Sequence, residues 1–209
     1  MPTWGGRRRG AGRKHAPGRR AVPHRSRRAH LTHCPAHVTL RAARGLPSLR
    51  RDNVFVEIRT ALAASSRRSF RLLHYSVQAD HVHMLVEADA PLGLVRGIQG
   101  LAIRVARAVN RVLARTGRVW GDRYHAHTLK SPREVRNGLV YVLNNFRKHI
   151  RNVRGIDPCS SAAWFTGWMD GARAVLGRSH VVEPRTWLAR VGWMKHGRIS
   201  MHEAPRGAP

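Results

Sequence analysis

The chain has 209 residues, which suits one domain with appendages or two small ones. Hydrophobic residues make up 42%, enough for a core, so a chain disordered throughout is excluded. Lys+Arg total 39 against 11 Asp+Glu, a net charge of +28 that suits a polyanionic partner, nucleic acid first. An arginine-favouring genome would produce the same excess. No run approaches the ~18 apolar residues of a membrane span, so no membrane partner is expected. The first 20 residues lack the apolar stretch of a secretory signal. Cys34 and Cys159 lie far apart and form no CxxC, which argues against a disulfide framework and for a reducing cytoplasm.

Residues 1–32 read as a basic disordered arm: ten Lys/Arg precede His30, and the first acidic residue is Asp52. Within the arm, Arg7, Arg8, Arg9, Arg13 and Lys14 alternate with glycine, a pattern that suits a minor groove or simple phosphate contact. His37-Val-Thr-Leu-Arg41 alternates as a strand. Arg50–Ser66 has helical spacing. Phe70–Ala79 and Val82–Ala88 read as strands around a turn at Ala79-Asp80. Pro91–Arg115 reads as a long helix with an apolar stripe through Ile98, Leu101, Val105 and Val112. Its other face carries Arg104, Arg107, Arg111 and Arg115, which can follow a phosphate backbone or stand as an ordinary solvated row. His125–Leu129 reads as a short strand. Ser131-Pro-Arg-Glu134 then opens a helix with a capping box, predicted to run to His149.

The order β-α-β-β-α-β-α predicts an α+β fold: a ferredoxin-like antiparallel sheet with helices on one face, followed by an extra helix. Residues 151–209 hold four of the six tryptophans, Trp164, Trp168, Trp187 and Trp193. They predict a small helical extension, with helices over 160–176 and 184–195, whose indoles pack on the core or stack on bases.

Chemistry is concentrated in two stretches. In Asp80-His-Val-His-Met-Leu-Val-Glu87, strand alternation points His81 and His83 the same way and Val82, Met84 and Val86 into the core. Two imidazoles on one face make half a divalent-metal site, although His125-Ala-His127 is another such pair. Leu85 stands where an HxHxD hydrolase needs aspartate. In Tyr141-Val-Leu-Asn-Asn145, helical spacing makes Tyr141 and Asn145 neighbours, with Asn137 and His149 on the same polar face. An amide there can complete a metal site beneath a phenol.

Together these stretches, with His37-Val-Thr-Leu and Gly121-Asp-Arg-Tyr-His125, resemble the single-tyrosine HUH transposases, REP-associated tyrosine transposases in particular, over about residues 33–150. The resemblance implies an HUH domain over 33–150 between the basic arm and a Trp-rich helical extension over 151–209. It implies His81 and His83 as metal ligands, Asn145 in the place of the third ligand, and Tyr141 as nucleophile. Phe146 stands where the family often has proline. The implied cofactor is Mg or Mn. The implied partner is single-stranded or hairpin DNA, cut and rejoined through a 5′-phosphotyrosine, by a monomer or a homodimer that exchanges the tyrosine helix. The implied location is the bacterial cytoplasm, at the nucleoid. Tyr75 and Tyr124 are the competing phenols. A domesticated nucleic-acid-binding protein without catalysis, and a water-using phosphoesterase built on His125 and His127, are the alternatives.

Overall fold

The computed structural model describes residues 29–148, 155–169, 171 and 178–205. Four strands, β1 (Ala36–Arg41), β2 (Phe70–Val77), β3 (His81–Ala88) and β4 (His125–Thr128), form one sheet in the order β2-β3-β1-β4. All pairings are antiparallel, and the fold is the expected α+β arrangement. The β2–β3 hairpin turns at Ala79-Asp80, closed by the Gln78 N–H donating to the His81 carbonyl at 2.8 Å.

Helices α1 (Asp52–Ala63) and α2 (Pro91–Val112) pack on one face of the sheet. Val54, Ile58, Leu62, Ile98, Leu101 and Val105 join Val38, Leu40, Val82, Met84 and Val86 in one core. Gly97 lets α2 approach the sheet closely, since a Cβ there would lie 2.2 Å from the Phe70 ring. Helix α3 (Pro132–Asn144) takes the other face, where Val135, Leu139, Val142 and Leu143 join Leu73, Leu85 and Leu129 in a second core. The capping box is present in a shifted form. The Ser131 hydroxyl accepts from the Glu134 N–H at 3.2 Å, but Glu134 reaches back to the Lys130 N–H, at 2.5 Å, rather than to that of Ser131.

Two expectations change. The strand expected over Phe70–Ala79 ends at Val77, and a bulge between Leu72 and His74 reverses its alternation. Leu72 and Tyr75 therefore share the first core while Leu73 enters the second. The predicted helix to His149 stops at Asn144 and continues as a 3₁₀ turn over Asn145–Lys148. His149 lies outside the described residues.

The Trp-rich segment is less helical than its sequence predicts. Of the helix expected over 160–176, a 3₁₀ turn at Ala162–Trp164 is present, and residues 170 and 172–177 lie outside the described set. The helix expected over 184–195 is a single turn, α4 (Trp187–Arg190), followed by a 3₁₀ turn at Gly192–His196. Trp168 and Trp193 are buried in the second core, whereas Trp187 is 53% exposed and carries the Lys195 ammonium over its ring. The segment seals the outer edge of β2. The Val77 N–H donates to the Cys159 carbonyl, the Ser161 N–H to Tyr75 and the Val182 N–H to Leu72, at 2.8, 2.9 and 3.1 Å. An edge strand so covered offers fewer open groups to another chain.

One buried side chain there makes stability pH-dependent. His74 sits edge-on to Phe165, its Nδ1 3.1 Å from the Ser161 hydroxyl, and burial lowers its pKa to about 4. The unfolded chain then binds the proton first, so stability is complete above pH ~6.5 and falls as pH drops from there towards 4. This one group accounts for at most roughly 3 kcal/mol of loss. Urea midpoints compared at pH 7 and pH 4.5 should fall less in His74→Gln than in wild type.

Candidate functional site

The α3 face of the sheet gathers histidines. Alternation along β3 places His81, His83, Leu85 and Glu87 on that face. The antiparallel register sets Arg41 opposite His81, Thr39 opposite His83 and His37 opposite Leu85. On the other side of β1, His125 lies opposite Thr39 and His127 opposite His37. Directly opposed residues share a face, so five imidazoles and one hydroxyl stand together.

At the centre, His83 is 5% exposed. Its Nδ1 lies 3.1 Å from the Thr39 hydroxyl and 3.2 Å from Nε2 of His37. The two rings stack at 5.2 Å between centroids, and His81 meets His83 edge-on at 4.5 Å. Burial, then the nearby His125 and His127, lower the His37 pKa to about 4, so its ring is neutral at physiological pH. At the rim, Nδ1 of His81 is 2.6 Å from an oxygen of Asp80. The other Asp80 oxygen accepts from Nε and Nη2 of Arg41 at 3.2 and 3.0 Å. His81 and Arg41 together hold the Asp80 carboxyl below the usual carboxylate range.

Helix α3 brings the phenol. Tyr141 is half-buried, its ring edge-on to His83 at 4.9 Å and to His37 at 5.4 Å. Burial raises its pKa, while the Lys148 ammonium lies 4.5 Å from the ring centroid on the following 3₁₀ turn. Asn145 opens that turn. It is 1% exposed, and among the described residues neither its amide oxygen nor its amide nitrogen has a hydrogen-bond partner. Asn137 is exposed on α3. Tyr75 and Tyr124 instead belong to the core on the opposite face; burial pushes the Tyr75 phenol well above its ordinary range.

Among the described residues no three His, Cys, Asp or Glu side chains converge to hold a metal ion. His125 and His127, both exposed, therefore make no three-ligand centre with their neighbours from these residue types. A cation held on this face would need a mixed donor set, such as the imidazoles of His81 and His83 with the amide of Asn145.

The arginines stand elsewhere. Arg104, Arg107 and Arg111 are exposed on α2, across the sheet from Tyr141, and Arg115 lies just beyond its end. Arg111 has an acidic neighbour that its own helix lacks: Glu57 of α1, at 3.8 Å. Arg104 joins Arg67 and Arg96 around a cleft floored by Phe70, Gly97 and Gly100. Arg7, Arg8, Arg9, Arg13 and Lys14 lie outside the described residues. The sequence pattern singled out neither Asp80 nor Thr39 as part of the site, because only the β1–β3 register and the hairpin turn bring them to the histidines. Among the described residues, no helix is long and apolar enough to cross a membrane.

No curated protein matches the chain. A solved structure described as that of the REP associates tyrosine transposase bound to a REP hairpin is similar, with a TM-score of 0.53 and 16% identity. The match covers 66% of this chain and 81% of that one, and at such identity it is a likeness of fold. The family model described as "Transposase IS200 like" matches residues 32–145, more than half of the sequence and the stretch that carries the sheet, the histidine pair and Tyr141. The chain therefore belongs to the IS200-like transposase family.

Proposed function

We propose that this protein cuts and rejoins single-stranded DNA through a covalent bond to Tyr141. The observation that carries the reading is the approach of the Tyr141 ring to His83, 4.9 Å between centroids and within one chain. It converts two sequence-distant motifs into one site on the face opposite the other two tyrosines. Family membership supports this reaction class, and the net charge of +28 suits the substrate.

In this reading the Tyr141 oxygen attacks the scissile phosphorus. The bond from phosphorus to the 3′ oxygen breaks, leaving a 5′-phosphotyrosine and a 3′ oxygen that takes up a proton, in balance with the one the phenol gave up, to become a 3′-hydroxyl. A 3′-hydroxyl later attacks the same phosphorus, returns the phenol and joins the strands, with no net hydrolysis. A phenol of pKa near ~10 is a weak nucleophile at neutral pH, and burial raises this one further, so the site must favour its anion. Lys148 contributes positive charge over the ring. His37, neutral and stacked on His83, fills the space beneath it without adding a competing charge.

His81, His83 and Asn145 would hold a divalent cation, Mg or Mn. The fit rests on Asn145, since a buried amide with neither atom satisfied carries a free-energy cost of about 1–3 kcal/mol unless a ligand meets it. Such a cation, when bound, polarises a phosphoryl oxygen and stabilises the charge that develops on it. Two neutral imidazoles and an amide leave its charge largely unquenched.

The strand-cutting unit spans 33–150. The substrate is a single strand or hairpin, as the fold relative's REP hairpin suggests. The basic arm over 1–32 and the arginines of α2 supply phosphate contacts, and Phe165, Trp168, Leu188 and Trp193 of the Trp-rich extension brace the α3 face. Because Tyr141 approaches His83 within one chain, this reading requires no exchange of the tyrosine helix between two copies.

The test is incubation of labelled single-stranded hairpin DNA with purified protein and Mn or Mg. A covalent adduct that EDTA abolishes and His83→Ala reduces by ~100-fold or more supports the reading. Salt-sensitive binding with no adduct under any metal condition overturns it in favour of a binding protein without catalysis. Strand cleavage with no adduct points to an attacking water.

A further inference from the structure

We infer that Asp80 is a positioning residue that fixes the tautomer of His81, with Arg41 fixing Asp80 in turn. The inference rests on the metal-holding role proposed above for His81.

A neutral imidazole carries one N–H and one lone pair, and which nitrogen carries which is set by its partners. Nδ1 of His81 lies 2.6 Å from Oδ1 of Asp80, and an ionised carboxylate can only accept. Nδ1 must therefore hold the proton, which puts the lone pair on Nε2. The carboxylate is itself held: Oδ2 accepts from Nε and Nη2 of Arg41, whose backbone stands opposite His81 in the β1–β3 register. Guanidinium, carboxylate and imidazole thus form a chain across two strands, anchored at both ends by the sheet. Asp80 sits in the hairpin turn, where the backbone of one residue before the strand aims a side chain at the first strand residue. At His83, by contrast, Nδ1 faces the Thr39 hydroxyl and His37, each of which can donate or accept, so the carboxylate constraint belongs to His81. With its Nδ1 proton held by Asp80, His81 presents Nε2 as the ligating nitrogen. Outer carboxylates of this kind fix ring orientation and raise the basicity of the ligand.

The experiment uses the full chain with ¹⁵N-labelled histidine, free of metal, at pH 8.5, where imidazole is neutral. Long-range ¹H–¹⁵N spectra should show His81 protonated on Nδ1 in wild type and mixed or Nε2-protonated in Asp80→Ala. Mn²⁺ affinity, read from the EPR signal of the free ion, should fall about 10–100-fold in Asp80→Ala. Asp80→Asn should keep most of both properties, because its amide oxygen accepts the same hydrogen bond. A rescue by Asn separates positioning from loss of charge, and circular dichroism shows whether each variant is folded. Should Asp80→Ala fail to fold, Arg41→Ala, which loosens Asp80 from an exposed position, carries the test with a smaller shift in the same direction. Wild-type His81 protonated on Nε2, or Mn²⁺ affinity unchanged in a folded Asp80→Ala, overturns the inference. A wild-type protein that shows the expected tautomer but binds no Mn²⁺ overturns the metal reading of the site and leaves the Asp80–His81 arrangement standing.

Discussion

Replacing Tyr141 by phenylalanine is expected to abolish covalent attachment to DNA while leaving DNA binding and the fold intact. The substitution removes one oxygen and keeps the ring that contacts His83, His37 and Lys148. No other phenol can take over: the chain has three tyrosines, and Tyr75 and Tyr124 are buried in the core on the opposite face. The loss should therefore be complete, with thermal melting little changed, since among the described residues the Tyr141 hydroxyl makes no hydrogen bond. Gel-shift measurements of DNA affinity alongside denaturing gels for the adduct separate the two properties. An adduct that persists in Tyr141→Phe moves the nucleophile elsewhere. In the wild type, adduct formation should rise with pH through the neutral and alkaline range, because burial holds the phenol above its ordinary pKa and its anion is the attacking form.

The largest effect on stability is expected at Glu87, two strand positions beyond Leu85 on the histidine strand. Its side chain is fully buried. It accepts from Nε of Arg71 at 3.1 Å, from the Arg185 and Thr186 N–H groups at 2.9 and 3.0 Å, and from the Thr186 hydroxyl at 2.7 Å. Glu87→Ala leaves a buried guanidinium with Asp89 as its remaining acidic partner and strips two backbone donors of their acceptor. Breaking a buried ion pair from one side costs about 3–5 kcal/mol. Thr186→Ala should cost less, about 1–2 kcal/mol, since it removes one hydroxyl and the cap of the short helix α4. Urea denaturation of both variants, followed by tryptophan fluorescence, checks the ranking. Equal losses would mean that the ion pair contributes little beyond the cap.

The parts of the fold legible in the sequence are those that local periodicity controls. Alternation alone separates His81 and His83 from Val82, Met84 and Val86, because a strand has no other way to arrange them. The spacing of Ile98, Leu101 and Val105 gives the buried stripe of α2. Ser131 and Glu134 mark the start of α3 because capping chemistry is local, though it does not say which backbone N–H Glu134 will reach. Elsewhere, partners far along the chain decide. Helix α3 ends early where the Asn144 amide donates to the carbonyls of Ser200 and Glu203 and where Phe146 is buried. Glu87 claims the backbone at Arg185 and Thr186, which delays the start of the helix expected over 184–195 to Trp187, and the helix breaks again at Val191. The bulge in β2 is invisible in a run of mostly apolar residues. At the site, the motifs name Tyr141, His81, His83 and Asn145, but the company of His37, Thr39 and Asp80 comes from register and turn geometry. No spacing in the sequence encodes either.

The Glu87–Thr186 contact spans 99 residues and the Arg50–Asp157 contact 107. At about 5–20 residues per second, a ribosome needs roughly 5–20 s to add the stretch between Glu87 and Thr186. Until Cys159 and Ser161 are added, a nascent chain that has paired β2 with β3 displays the bare margin of β2, and until Thr186 is added Glu87 awaits its clasp. A chain released before Cys159 would offer that margin to its neighbours.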